Sequence, residues 1–255
     1  MKLSRKAMIF DIHRGSFVDG PGIRTTVFFK GCNLACAWCH NPEGIRPQKQ
    51  MMFYKDKCTG CGKCSEICKN KPCAFCGRCA EVCPAGARKI CGTEYDVSTL
   101  LNIVIADKPF YDNSGGGVTC SGGESMLQIG FLEEFLRRCK ESGVHTAIDT
   151  AGNVSFEYFE RILPYTNLFL YDIKALDAKL HKKITGADNV LILSNFERLL
   201  NLCPEKLLAR VPVIPNANEN EIPAITEFLK KCKIKADFLP YHELGKGKAA
   251  ALLLK

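Results

Sequence analysis

Apolar and polar residues along this chain follow two alternating periods. Runs rich in β-branched and aromatic residues, Thr25-Thr-Val-Phe-Phe29 being the first, predict strands near 25–30, 117–121, 144–149, 168–172, 207–214 and 236–240. Between them, apolar positions recur at helical spacing near 96–107, 126–142, 155–163, 188–201 and 220–231. Strands that alternate with helices pair in parallel through right-handed crossovers. Six such units, with no Gly-x-Gly-x-x-Gly after a strand, favour an α/β fold of the partial TIM-like (β/α)6 barrel type over an open doubly wound sheet. In that architecture the chemistry sits where strands end. Residues 53–92 break the pattern, being rich in Cys, Gly and Lys and poor in apolar side chains. Such a stretch folds only around something it binds. The expected organisation is therefore a first part of the barrel at 1–52, an insert at 53–92, and the rest of the barrel at 93–255.

The length of 255 residues suits one or two domains with a sizeable core. No apolar run reaches membrane-spanning length. After the basic start Met1-Lys-Leu-Ser-Arg-Lys6, only Ala7 to Phe10 precede Asp11, too short for an export segment. A cytoplasmic protein is expected, without membrane or nucleic-acid partners.

Cysteine changes the picture. Of 16 cysteines, 11 fall between Cys32 and Cys83, a cluster that favours metal ligation over a disulfide scaffold. If those thiolates hold three cubanes of core charge about +2 each, the formal +8 of the chain falls to roughly +3. Cys32-x3-Cys36-x2-Cys39 follows the first predicted strand. Three thiolates there suit three corners of a [4Fe–4S] cluster, leaving one iron without a protein ligand, as catalytic metal sites do. The alternative is a zinc site with His40 as fourth ligand. Cys58-x2-Cys61-x2-Cys64-x3-Cys68 and Cys73-x2-Cys76-x2-Cys79-x3-Cys83-Pro84 repeat the bacterial ferredoxin run, in which the fourth cysteine ligates the other cluster. That pattern gives Cys58, Cys61, Cys64 and Cys83 to one cluster and Cys68, Cys73, Cys76 and Cys79 to a second. Lys69 in place of the usual proline, and only four residues between the runs, leave other pairings open. Cys91, Cys120, Cys139, Cys203 and Cys232 lack ligand spacing and read as small buried hydrophobes.

The segments Asp19-Gly-Pro-Gly-Ile-Arg24 through Gly31-Cys32 and Cys36-Ala-Trp-Cys39-His-Asn-Pro42 resemble the radical S-adenosylmethionine (SAM) superfamily, and within it the glycyl radical enzyme activating enzymes. The resemblance resumes at Gly117-Val-Thr-Cys-Ser-Gly-Gly-Glu124, Asp149-Thr-Ala-Gly152, Tyr171-Asp-Ile-Lys174 and Leu239-Pro-Tyr-His-Glu-Leu-Gly-Lys246. The ferredoxin-like insert is similar to that of the subgroup serving dehydratases, decarboxylases and C–N or C–S lyases. Beyond the last motif the family usually continues with a further helix, whereas this sequence stops at Lys255, so the last barrel edge is expected to be less covered.

The resemblance implies an oxidoreductase that cleaves SAM at a [4Fe–4S] cluster and takes a hydrogen atom from a backbone glycine of a partner enzyme. It implies catalytic and cluster-binding roles for Cys32, Cys36 and Cys39. It places SAM against Trp38, Gly122, Gly123, Glu124, Asp149, Thr150, Asp172, Lys174, Arg210 and His242, with a monovalent cation possible beside the SAM carboxylate. Asp19 would meet the glycine loop of the partner. Read without it, Gly122-Gly123-Glu124 is a loop and helix start, Asp149 and Asp172 are helix N-caps, and Asp19-Gly-Pro-Gly is a turn. Lys174 is a solvated or ion-paired cation, whereas Arg210, set in an apolar strand, calls for a partner or ligand. The expected complement is three [4Fe–4S] clusters, SAM, a flavodoxin- or ferredoxin-type donor and a monomeric chain. Alternatives are a radical SAM enzyme acting on a small molecule and a ferredoxin-like electron carrier.

Overall fold

The computed structural model describes residues 6–68 and 73–252. The basic start, Lys69 with the rest of the link between the two cysteine runs, and the end at Lys255 lie outside the described residues. The strands are β1 (Lys6–Ser16), β2 (Arg24–Phe29), β3 (Gln50–Phe53), β4 (Arg88–Cys91), β5 (Thr93–Asp96), β6 (Gly117–Gly122), β7 (His145–Thr150), β8 (Leu168–Asp172), β9 (Leu207–Val213) and β10 (Ala236–Pro240).

Eight of them form one sheet in the order β10-β9-β8-β7-β6-β2-β1-β5. The six from β2 to β10 pair in parallel, each beside its successor. They match the six expected strands within a residue or two, and the sheet is the partial barrel expected of six β/α units. Two additions were not foreseen. β1 pairs antiparallel with β2, and β5 antiparallel with β1. Ala7 and Ile9 of β1 are buried, but from Asp11 onward it is largely polar and exposed, so its alternation is too brief to read as a strand. The expected helices appear at Val97–Ile105, Ile129–Glu141, Phe156–Ile162, Val190–Leu202 and Ile222–Lys231. Helices at Lys108–Ser114, Ala178–Thr185 and Leu244–Ala251 are additional.

The core lies between the parallel strands and these helices, with Val27, Cys120, Phe135, Ile148, Phe159, Phe169 and Phe196 fully buried. Cys91, Cys120, Cys139 and Cys203 are buried and Cys232 partly so, as small apolar residues would be.

At the root of residues 53–92, β3 and β4 pair antiparallel, with β3 falling almost wholly before that stretch. Above them, Lys63–Ile67 and Arg78–Glu81 form two short helices that pack together. Each follows a glycine in the left-handed region, Gly62 at φ 80° and Gly77 at φ 86°. Cys61-Gly62-x-Cys64 and Cys76-Gly77-x-Cys79 thus adopt the same local turn, and the tandem repeat in sequence is a repeat in structure. Among the described residues no helix is long and apolar enough to cross a membrane.

Candidate functional site

The six parallel strands end on one side of the sheet, and the residues singled out in the sequence gather there. The loop after β2 carries Cys32, Cys36 and Cys39, all partly buried and none in a disulfide. Backbone bonds hold this loop from two directions. Gly31 and Cys32 donate to the Gly44 and Ile45 carbonyls at 2.7 and 3.0 Å, while Ala35 and Ala37 donate to Thr185 and Ile184 at 2.7 and 3.0 Å. Burial pushes the thiols up, Cys32 to about 12 and Cys39 to about 11. Three free thiols on one backbone-braced loop fit a bound iron cluster, whose ligation would draw off their protons. Among the described residues no three His, Cys, Asp or Glu side chains converge closely enough to hold a single ion. A cubane instead takes one thiolate at each of its separate irons. The His40 ring stacks on that of His242 with centroids 3.9 Å apart.

β6 ends in Gly122-Gly123-Glu124. The sequence suggests that these glycines let a ligand approach. The structure gives them a nearer reason, since a Cβ on Gly122 would strike the Phe29 backbone and one on Gly123 the Gly31 and Gly44 carbonyls. They are the condition for β6 to pass beneath the cysteine loop. Glu124 is fully buried and accepts from the Thr150 hydroxyl at 2.8 Å and from the amides of Ala151 and Met126 at 3.2 and 3.3 Å. Even so, desolvation raises its carboxyl to about 7.

Asp149 and Asp172 end β7 and β8. Neither caps a helix; the aspartates whose side chains cap one are Asp96 and Asp177. Asp149 accepts from Ser121 Oγ at 2.6 Å and faces Arg210 at 3.5 Å. Asp172 lies beside Arg210 in the β8–β9 register and forms an ion pair with Lys174. Burial pushes Asp149 up while Arg210 opposes it. Lys174 is raised despite burial, through Asp172 and the nearby Cys36. Arg210 also donates to the Val18 carbonyl at 3.3 Å, joining these acids to the segment that carries Asp19. Asp19 accepts from the hydroxyls of Ser16 and Thr26 at 2.6 and 2.7 Å. Beside it Phe17 and Val18 stand 73% and 76% exposed.

Glu124, Thr150, Asp149, Asp172, Lys174, Arg210 and Asp19 thus form one linked group, with Cys36 close to its Lys174 end. Trp38 is half-buried between two of the thiols. His242 is exposed and stacked on His40, one residue from Cys39. In the insert, Cys58, Cys61, Cys73 and Cys76 are exposed and Cys79 is buried. Burial raises the Cys79 thiol, and the nearby Cys68 and Cys73 raise it further. Cys83 is lowered by backbone amides, that of Ala87 first, at 3.3 Å from its sulfur.

Several residues that shape the site carry no sequence signal. Ser121 orients Asp149. Three buried asparagines hold the post-strand loops: Asn195 donates to Gly152 and Val154, Asn189 to Ala175 and Leu176, and Asn218 to Lys174 and Pro212, all at 2.7–2.9 Å. The one hint is that Asn195 sits on the apolar face of its helix.

Comparison with known proteins identifies the family. The chain matches the Radical SAM superfamily over residues 63–229. It is 42% identical to the trans-4-hydroxy-L-proline dehydratase activating enzyme of Clostridioides difficile, over 94% of this chain and 86% of that one. It is 38% identical to the choline trimethylamine-lyase activating enzyme of Oleidesulfovibrio alaskensis, over 96% and 87%. In fold it is similar to Streptococcus suis SuiB bound to the precursor peptide SuiA, with a TM-score of 0.57 and 15% identity over 88% of this chain and 39% of SuiB. The strand ends, the cysteine loop and these relatives agree: the chain belongs to the glycyl radical enzyme activating enzymes of the radical SAM superfamily, which use SAM and a [4Fe–4S] cluster to make a radical on the backbone glycine of a partner enzyme.

Proposed function

We propose that Cys32, Cys36 and Cys39 hold the [4Fe–4S] cluster that cleaves SAM, and that SAM lies across the linked group at the ends of β6, β7, β8 and β9. The observation that carries this is convergence: the thiols, Glu124, Asp149, Asp172, Lys174 and Arg210 all emerge on one side of consecutive parallel strands. Held by Cys32, Cys36 and Cys39, the cluster would supply the single electron that splits the SAM sulfonium into methionine and the 5′-deoxyadenosyl group that would take a hydrogen atom from the partner's glycine.

The remaining work belongs to the chain. Glu124, with two oxygens in a dry pocket, accepts from the SAM ammonium. Asp149 and Thr150 take the ribose region. Lys174 and Arg210 turn from their aspartates toward the SAM carboxylate, Arg210 as a two-pronged donor; a monovalent cation on Asp172 belongs to the same arrangement. Trp38 and His242 border SAM from the cluster side. The apolar strands beneath exclude water from the radical. Asp19 meets the partner's glycine loop, alongside exposed Phe17 and Val18.

Residues 53–92 serve as a ferredoxin-like unit between the two barrel segments, holding one cluster on Cys58, Cys61, Cys64 and Cys83 and another on Cys68, Cys73, Cys76 and Cys79. The repeated left-handed turns at Gly62 and Gly77 and the exposure of four of these thiols support a unit that takes electrons from a flavodoxin- or ferredoxin-type donor. The chain acts as a monomer in the cytoplasm.

Anaerobic reconstitution tests this directly. Iron should reach about 12 per chain if three cubanes form. With dithionite and SAM, 5′-deoxyadenosine should appear, and Cys32→Ala, Cys36→Ala and Cys39→Ala should each abolish it. Substitutions at Cys58 or Cys76 should lower iron yet spare dithionite-driven cleavage. Cleavage that survives loss of the first three thiols sinks the assignment.

A further inference from the structure

The helix Leu244–Ala251 lies on the segment that bears Cys39, and its contacts fall at helical spacing on one face. Gly245 is buried, and a Cβ there would overlap the Cys39 carbonyl oxygen and come within 3.1 Å of His40 Cα. One turn later, Lys248 Nζ donates to the His40 carbonyl and Asn41 Oδ1, both at 3.3 Å, and stands 3.5 Å from Glu43 Oε1. Just before the helix, His242 stacks on His40. Just after it, Leu252 makes an antiparallel bridge with Met52 of β3 and is buried with Met52 and Cys91 at the insert's base. One short element therefore grips residues 39–43 from above and anchors its far end on the insert.

We infer that this helix is a clamp that positions the Cys32–Cys39 loop, with Gly245 and Lys248 as positioning residues for the SAM-cleaving cluster. The inference rests on the assignment of that cluster to Cys32, Cys36 and Cys39. The physical ground is the geometry of a peptide unit next to a metal ligand. Residue 245 can pack against the Cys39 carbonyl only because it has no side chain, and the His40 carbonyl accepts from the Lys248 ammonium. Groups that orient a ligand without touching the metal govern how firmly it is held. Gly247 supplies the contrast within the same helix, since a Cβ there meets nothing within 4 Å. Both glycines weaken the helix relative to alanine, and only Gly245 has a contact that requires the loss.

The test uses the full chain, reconstituted anaerobically with iron and sulfide. Its readouts are iron per chain, the change that SAM induces in the electron paramagnetic resonance spectrum of the reduced protein, and the rate at which a chelator removes iron. Gly247→Ala should match the parent in all three and melt no lower. Gly245→Ala should lose the SAM-induced spectral change and fall short by about one cubane, roughly four irons. Lys248→Met should fold and bind SAM, yet release its SAM-responsive cluster about tenfold to a hundredfold faster. A Gly245→Ala protein that behaves as Gly247→Ala does overturns the clamp. Should Gly245→Ala fail to fold, parental chelation from Lys248→Met overturns it instead. A parent that shows no response to SAM would fail the cluster assignment itself, and the clamp with it.

Discussion

At the scale of single residues, Glu124 gives the sharpest expectation. Its carboxyl is 1% exposed and raised by burial from 4.5 to about 7. In the unfolded chain the group loses its proton near its ordinary value, whereas in the fold it keeps it longer. Its contribution to stability is therefore full below about 4.5 and is lost as pH rises through about 7. The urea midpoint of the cluster-free protein, measured under reducing conditions, should fall between pH 5 and pH 8. Glu124→Gln should remove more than about 1 kcal/mol of that fall. An unchanged slope in the variant would mean that the carboxyl is ionised throughout. Glu124, Asp149 and Asp172 were singled out through the family resemblance, whose motifs fall where apolar strands end; read without it they were a helix start and two helix caps. Asn189, Asn195 and Asn218 were not, because an asparagine at or near a helix ordinarily reads as a solvated position. Only the fold shows that Asn189 and Asn195 each span two carbonyls of a distant loop, and that Asn218 ties the Lys174 carbonyl to that of Pro212 in β9.

At the scale of elements, the loop after β7 depends on a close approach. Gly152 has φ of 74°, and a Cβ there would overlap the Tyr171 hydroxyl, which itself donates to the Ile192 carbonyl at 2.7 Å. Gly152→Ala should destabilise the protein by about 1–3 kcal/mol through left-handed strain and overpacking. It should lower the melting temperature by several degrees and weaken SAM binding, because Thr150 lies at the start of the same turn. Calorimetry and SAM titration on one sample would check both. Elements like this were readable where burial made the pattern strong. Five of the six parallel strands, β2 and β6 to β9, are largely buried and read as apolar runs, whereas β10 at the edge is mostly exposed. By contrast β5 is the short polar run Thr93–Asp96 at the sheet edge, and β3 with β4 make four-residue strands whose pairing spans the whole insert. Long-range pairing of short strands leaves no local period to detect. The helix Leu244–Ala251 was missed for a related reason: it contains two glycines, and tertiary contact rather than propensity holds it in place.

At the scale of the whole molecule, the chain is a barrel whose sequence is interrupted by the cysteine-rich residues 53–92, and one buried cation joins the two. Lys30, two residues before Cys32, has no exposed surface. Its ammonium reaches the Glu43 carbonyl, Gln50 of β3 at 3.0 Å and the Cys91 sulfur of β4 at 3.5 Å. Stranding so dry a charge without those partners would be costly. Lys30→Met should therefore fold, but with residues 53–92 more open to proteolysis than in the parent. Limited digestion followed by mass analysis would show it, and an unchanged digestion pattern would deny Lys30 that function. Because this one side chain spans the root of the insert and the strand leading into the cysteine loop, the insert is bolted rather than hinged. An electron leaving residues 58–83 would then cross a gap of constant width, and thickening the solvent with glycerol should leave the rate of that crossing unchanged.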